Sequence, residues 1–299
     1  MDAAVEEWIH AHVAPTAPIE TVHARPWATV MQVPTSDGPV WFKVCAPVQA
    51  FEPRLSAELF RRWPDRVAEV LAWDGEHSWL LLADAGQPVG ERGNPPESWL
   101  AALPSYAELQ RGEAAHTGDH LALGVPDLRL RVLPERYAEL VRRTLPLLGH
   151  ELARMRGFVT RFASLCEDLA TCGVPETIQH DDLHMVNLFE QCGRRRVLDW
   201  GDSSIAHPFA SLVVTFRFLE ERNGLAPADP WFARLRDAYL EPWGGGQTLR
   251  DTFDLAMRVG VIAHAVAWMR QRDALPEGAL AEFDVGFAIV LRRALAHMC

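Results

Sequence analysis

Residues 86–96 read Gly86-Gln87-Pro88-Val89-Gly90-Glu91-Arg92-Gly93-Asn94-Pro95-Pro96. Three glycines and three prolines in so short a stretch exclude a continuous helix or a central strand, because proline lacks a backbone donor and glycine pays extra entropy. This break divides two differently patterned stretches. Before it, Thr29-Val30-Met31-Gln32-Val33 and Val40-Trp41-Phe42-Lys43-Val44 read as two strands around the turn Ser36-Asp37-Gly38. Residues from Val67 to Trp73 and from Ser78 to Leu82 read as two more, joined at Asp74-Gly75. Residues 1–12 and Leu55 to Trp63 read as helices. After the break the period becomes helical. Over residues 151–171, Leu152, Met155, Phe158, Val159, Phe162, Leu165 and Leu169 form one apolar stripe, which Gly173 and Pro175 stop. Short strands are expected at 177–179, 188–189 and 196–198, with a turn at Cys192-Gly193, and helix from Phe209 onward. The expected class is α+β and bilobal. Residues 1–86 form a small β-rich N-lobe, and residues 87–299 a larger, mostly helical C-lobe.

Net charge narrows the partners. A formal charge of −11 repels nucleic acid and anionic membrane and favours a cationic small molecule. The longest apolar run, Val259 to Met269, is interrupted by His264 and flanked by Arg258 and Arg270, too short to cross a bilayer. The acidic start lacks a signal-peptide pattern, and the five cysteines include no C-x-x-C pair. A reduced, cytoplasmic chain, monomeric or homodimeric, is the expectation.

Among 29 basic residues Lys43 is the one lysine; the rest are arginine. A lysine ammonium is a compact point charge able to reach a phosphate in a narrow cleft, where an arginine fork is wide. Phosphoryl transfer needs such a charge on the nucleotide phosphates, a carboxylate to orient and deprotonate the attacking hydroxyl, and oxygen ligands for a metal ion. The stretch His180-Asp181-Asp182-Leu183-His184-Met185-Val186-Asn187 matches the catalytic-loop pattern H-R-D-L-x-x-x-N at His180, Asp182, Leu183 and Asn187. Asp199-Trp200-Gly201 then matches D-x-G, the second metal-binding element. Asp182 is the expected catalytic base, and Asn187 and Asp199 the expected Mg²⁺ ligands. Lys43 is the expected phosphate ligand, with Glu58 on the following helix as its ion-pair partner. His184 is expected to help position the loop or the acceptor. Trp231, Trp243 and Trp268 are candidates either for a substrate pocket or for core, and His264 reads as a hydrogen-bonded core histidine.

These motifs, together with Ala206-His207-Pro208-Phe209-Ala210-Ser211-Leu212 and Leu80-Leu81-Leu82-Ala83-Asp84-Ala85-Gly86, resemble the aminoglycoside phosphotransferase and choline-kinase-like family. The resemblance implies a protein-kinase-like fold and ATP-dependent phosphoryl transfer to a hydroxylated, cationic acceptor. An aminoglycoside or another cationic antibiotic leads the acceptors; an amino sugar, choline or a hydroxy amino acid are the alternatives. It also implies that backbone groups of Ala83 and Ala85 hold the adenine and that Thr29 lies in the loop over the phosphates. Three positions depart from the family. Asp181 stands where it usually has glycine, and could act on a cationic substrate or raise the pKa of its neighbour. Ser211 ends a stretch that in the family reads G-D-P-x-x-D. Arg25-Pro26-Trp27-Ala28-Thr29, in place of the nucleotide loop, has no glycine. Two other classes compete: a nucleotide-binding pseudoenzyme, motivated by these departures, and a metal-dependent hydrolase using His180, Asp182 and His184 as ligands.

Overall fold

The computed structural model describes residues 2–298, and the chain divides into two compact units, 2–89 with 186–201 and 90–185 with 202–298. The α+β class expected from the sequence is borne out, with an antiparallel sheet in the N-terminal region and helices in the C-terminal region.

The first unit opens with helix α1 (Ala3–His12), capped by the Asp2 carboxylate on the Ala4 amide. Strands β1 (Glu20–Arg25), β2 (Ala28–Thr35), β3 (Gly38–Cys45), β4 (Val70–Asp74) and β5 (Trp79–Ala83) form one antiparallel sheet in the order β1-β2-β3-β5-β4. The β2–β3 hairpin pairs Thr35 with Gly38, and the positive φ of 115° at Gly38 suits glycine. Alternation along these strands puts Val33, Val40, Phe42, Trp79 and Leu81 in a core that Val5 and Ile9 of α1 complete. Helix α2 (Glu52–Arg62) follows β3, and Leu55 and Leu59 are fully buried. The unit is completed by β6 (Gln87–Pro88) and two strands from later in the chain, β8 (Leu188–Gln191) and β9 (Arg194–Val197), in the order β6-β8-β9.

The second unit is helical. It comprises α3 (Pro96–Glu113), α4 (Thr117–Ala122), α5 (Leu133–Leu140), α6 (Gly149–Gly157), α7 (Val159–Ala170), α8 (Leu212–Asn223), α9 (Pro230–Leu240), α10 (Gln247–Asp273) and α11 (Glu277–Ala296). A two-stranded ladder of β7 (Thr177–Gln179) and β10 (Ser204–Ala206) runs through it. Helix α10 crosses the turn at residues 208–211 closely: a Cβ on Gly260 would sit 2.6 Å from the Ala210 Cβ. No helix of the described residues is long and apolar enough to cross a membrane.

Two local expectations change. The stripe over 151–171 is two helices, α6 and α7, broken at Phe158, directly after Gly157, the poorest helix former in the stretch. Residues 25–29 are not a loop. Arg25 and Ala28 pair across a two-residue turn, so Thr29 lies within β2, opposite Val44.

Candidate active site

The first unit gathers the charged groups expected to meet a nucleotide. Lys43 sits mid-β3, opposite Val30 and Leu80, and is 7% exposed. Its Nζ lies 2.6 Å from Glu52 Oε2 and donates to Asp199 Oδ1 at 2.6 Å. Burial alone would lower the lysine pKa, but the Asp199 and Glu52 charges outweigh it and hold the ammonium well above its ordinary range. Burial raises Glu52 in turn, against the pull of Lys43. The Cys45 thiol donates to Glu52 at 3.3 Å, and burial followed by the Glu52 charge pushes it well up.

Glu52 takes the place expected for Glu58. Helix α2 begins at Glu52, three residues earlier than the apolar pattern suggests, so its first turn carries the carboxylate that meets Lys43. Glu58 is six positions on, roughly 120° round the helix. There it pairs with Arg61 at 3.1 Å and Arg62 at 2.9 Å.

Asp199 follows β9 with φ 64°, a left-handed conformation in which its side chain remains half exposed. The β8–β9 hairpin closes with the Leu198 amide on the Asn187 carbonyl at 3.0 Å, which brings Asn187 beside Asp199. A carboxylate and an amide oxygen are the hard donors that Mg²⁺ takes when substrate phosphates supply the rest. Gly201 closes the motif against α2: a Cβ there would lie 2.6 Å from Gln49 and 2.7 Å from Glu52. Ala83 ends β5 with its amide on the Glu69 carbonyl at 3.0 Å, and Ala85 is buried two residues on.

The second unit holds the catalytic-loop stretch up to Met185. The loop leaves β7 at Gln179, opposite Ser204 of β10. The His180 amide donates to the Tyr106 hydroxyl at 3.1 Å, and the Asp182 amide to His180 Nδ1 at 3.3 Å. Asp182 is one-third exposed and its Oδ2 is hydrogen-bonded to His184 Nε2 at 3.1 Å. Helix α8 supports this arrangement. Thr215 Oγ1 donates to the Leu183 carbonyl at 2.7 Å, Phe218 stacks on His184 with centroids 4.4 Å apart, and the Arg217 guanidinium lies over the Phe218 ring, 4.9 Å from its centroid. His184 is therefore placed against Asp182 within the loop, and α8 supplies partners that no local pattern reveals.

Asp181 does not face outward. It is buried with φ 62°, and its carboxylate accepts from Gln179 Nε2 and Ser204 Oγ. Burial pushes its pKa up to about 6. The tryptophans do not share a pocket: Trp243 packs on Phe209, Trp268 on Phe283 and Phe287, and Trp231 against Arg234. His264 is a core histidine, as expected, but both ring nitrogens lack partners among the described residues, and burial drives its pKa down to about 3.

The family model for the phosphotransferase enzyme family matches residues 91–250. The chain belongs to that family. The expected small-molecule kinase stands with it. A search of curated protein sequences returns no match. Among solved structures, a choline kinase from Streptococcus pneumoniae superposes with a TM-score of 0.68 at 13% identity, covering 98% of each chain. Plasmodium vivax ethanolamine kinase gives 0.64 at 13% identity, over 94% of this chain and 81% of the other. APH(2")-IIia, solved with GDP and kanamycin, gives 0.62 at 15% identity over 99% of each. At these identities the likeness shows the protein-kinase-like fold.

Proposed function

We propose that this phosphotransferase moves the γ-phosphoryl group of ATP to a hydroxyl of a small cationic molecule, with Asp182 as the base. The observation that carries the reading is the buried Lys43, held 2.6 Å from both Glu52 and Asp199. Two carboxylates keep the ammonium charged and fixed where burial would otherwise discharge it, so it is already oriented for the nucleotide α- and β-phosphates. In this reading residues 1–86 are the nucleotide-binding lobe and residues 87–299 carry the catalytic loop and the acceptor. The adenine is held by the Ala83 carbonyl and the Ala85 amide, since the Ala83 amide is engaged by Glu69.

Asp182 accepts the proton of the attacking hydroxyl while His184, hydrogen-bonded to Oδ2 and stacked on Phe218, keeps the carboxylate from turning away. Asn187 and Asp199 would hold Mg²⁺, which supplies charge neutralisation on the phosphate oxygens. Thr29, next to the β1–β2 turn, is near enough in sequence to Arg25 for that turn to cover the phosphates. The net charge of −11 supports a cationic acceptor, and so do the choline, ethanolamine and kanamycin named for the similar structures. An aminoglycoside is the leading candidate; choline, an amino sugar or a hydroxy amino acid follow.

The test is nucleotide consumption with ATP and GTP against aminoglycosides, choline, ethanolamine, amino sugars and hydroxy amino acids, with Asp182→Asn as the blank. Acceptor-dependent turnover that falls 10²- to 10⁴-fold in the variant, with nucleotide affinity retained, is about the effect a lost general base produces. Near wild-type turnover by Asp182→Asn would sink the mechanism.

A further inference from the structure

The His180–Leu183 backbone has to be held still for Asp182 to serve as a base, since an error of about 1 Å in a catalytic group costs roughly a hundredfold in rate. Besides the Thr215 hydroxyl on the Leu183 carbonyl, two further tethers reach it within the second unit. The first is neutral: the His180 amide donates to the Tyr106 hydroxyl, which is 3.1 Å from Ser211 Oγ, which in turn accepts from Gln110 Nε2 at 3.0 Å. The second is ionic and is built on Asp181. Its carboxylate accepts from Gln179 Nε2 on β7 and from Ser204 Oγ on β10, the pair that face each other across that ladder. The charges around it are Arg270 of α10 and its own neighbour Asp182, with the Tyr106 phenol of α3 also within electrostatic range. Arg270 also feels Asp202, so the guanidinium lies in the field of both the loop and the segment that follows Gly201.

We propose that Asp181 is a positioning residue for phosphoryl transfer, its buried carboxylate clamping the catalytic loop to β7 and β10 through Gln179 and Ser204. A residue in a left-handed conformation is ordinarily glycine, or an asparagine or aspartate whose short side chain bonds locally. Here the side chain bonds both to Gln179 at the end of β7 and to Ser204 on the paired strand β10, and the second of these local backbone accommodation does not require. The burial of an ionisable group is itself unfavourable and is retained where a specific geometry depends on it. Asp181 thus fixes the direction from which Asp182 leaves the loop, without touching the reacting atoms.

This inference rests on the kinase reading only for its activity arm. Two variants test it. Asp181→Gly removes the clamp at a φ that glycine adopts freely. Ser204→Ala removes one donor and leaves the loop backbone unchanged. For the acceptor that the wild type turns over fastest, each is expected to lower kcat at least tenfold while KM for MgATP stays within twofold. Amide hydrogen exchange over residues 177–185 is expected to accelerate at least tenfold in both, with helices α10 and α11 unchanged. Adding Ser211→Asp to Asp181→Gly places a carboxylate on the other tether, between Tyr106 and Gln110, and is expected to recover part of the lost kcat and protection. Wild-type kcat and exchange in either Asp181→Gly or Ser204→Ala overturn the proposal. If the wild type turns over no acceptor, the kinase reading fails and the exchange measurement alone decides the role of Asp181.

Discussion

Replacing Asp181 by asparagine gives a pH-dependent change in stability whose sign and size follow from its surroundings. Burial raises the carboxyl from an ordinary value of 3.8 to about 6 in the folded chain; Arg270, Ser204 and Gln179 pull against the rise, and Asp182 adds to it. A shift of about two units corresponds to roughly 3 kcal/mol. The folded pKa lies above the unfolded one, so the fold prefers the protonated form. The wild type is therefore most favoured below about pH 4. It loses that increment as pH climbs from 4 to 6, and stays lower above. An asparagine amide does not ionise and escapes this loss. It also fits the site: its oxygen can accept from Ser204, and its nitrogen can donate to Gln179 Oε1, which has no partner among the described residues, once the Gln179 amide turns over. Urea titrations of both proteins from pH 4 to 8, followed by far-UV circular dichroism, should show the variant gaining about 3 kcal/mol relative to the wild type between pH 4 and 7. Parallel stability curves across that range would refute the buried, destabilised carboxylate. Taken with the expected loss of activity when the clamp is cut, a gain above neutral pH identifies Asp181 as a site where stability is given up for function.

Three further outcomes are expected. Lys43→Met leaves Glu52 buried and uncompensated, so stability should fall by about 3–5 kcal/mol and nucleotide binding should be lost. Adding Glu52→Gln should return most of the stability but none of the binding, as read by chemical denaturation and calorimetry. Glu58→Ala should change stability by under about 1 kcal/mol and leave KM for MgATP unchanged, whereas Glu52→Ala should raise that KM tenfold or more; equal effects would reverse the assignment of the Lys43 partner. Gly201→Ala forces a methyl group against Gln49 and Glu52 and should destabilise by roughly 1–3 kcal/mol while weakening nucleotide binding; a silent substitution would show that the close approach to α2 is not required.

What the sequence discloses depends on how local the determining physics is. Strands β2, β3 and β5 carry a buried face, and their turns contain glycine or aspartate at the expected places, so they are legible. Strand β1 is not: all six residues are exposed, and a strand with no buried face leaves no alternation to read. The candidate catalytic loop stands out as a motif because the proposed chemistry restricts residue type at fixed spacing. Glu52 is not, because which of two nearby carboxylates meets Lys43 depends on where α2 starts, and helix starts without a capping side chain are poorly marked. The support of His184 by Phe218 and Leu183 by Thr215 is likewise hidden, since it joins segments over thirty residues apart through a contact rather than a pattern. The inward place of Asp181, which the sequence offered only as a group acting on a cationic substrate or on its neighbour's pKa, is hidden for a similar reason, since its partners Gln179 and Ser204 come together through the pairing of β7 with β10.

The solitary lysine has a practical consequence as well. Apart from a chain terminus, every primary amine this protein can offer to an acylating or reductively alkylating reagent is the one on Lys43, and it is locked as an ammonium between Glu52 and Asp199. A thioester, an activated ester or an aldehyde probe therefore has one internal address, and reaching it requires both carboxylates to release a charge that they stabilise. Amine labelling of the folded chain is in effect a stoichiometric, residue-resolved gauge of whether that ion-paired centre is closed or open.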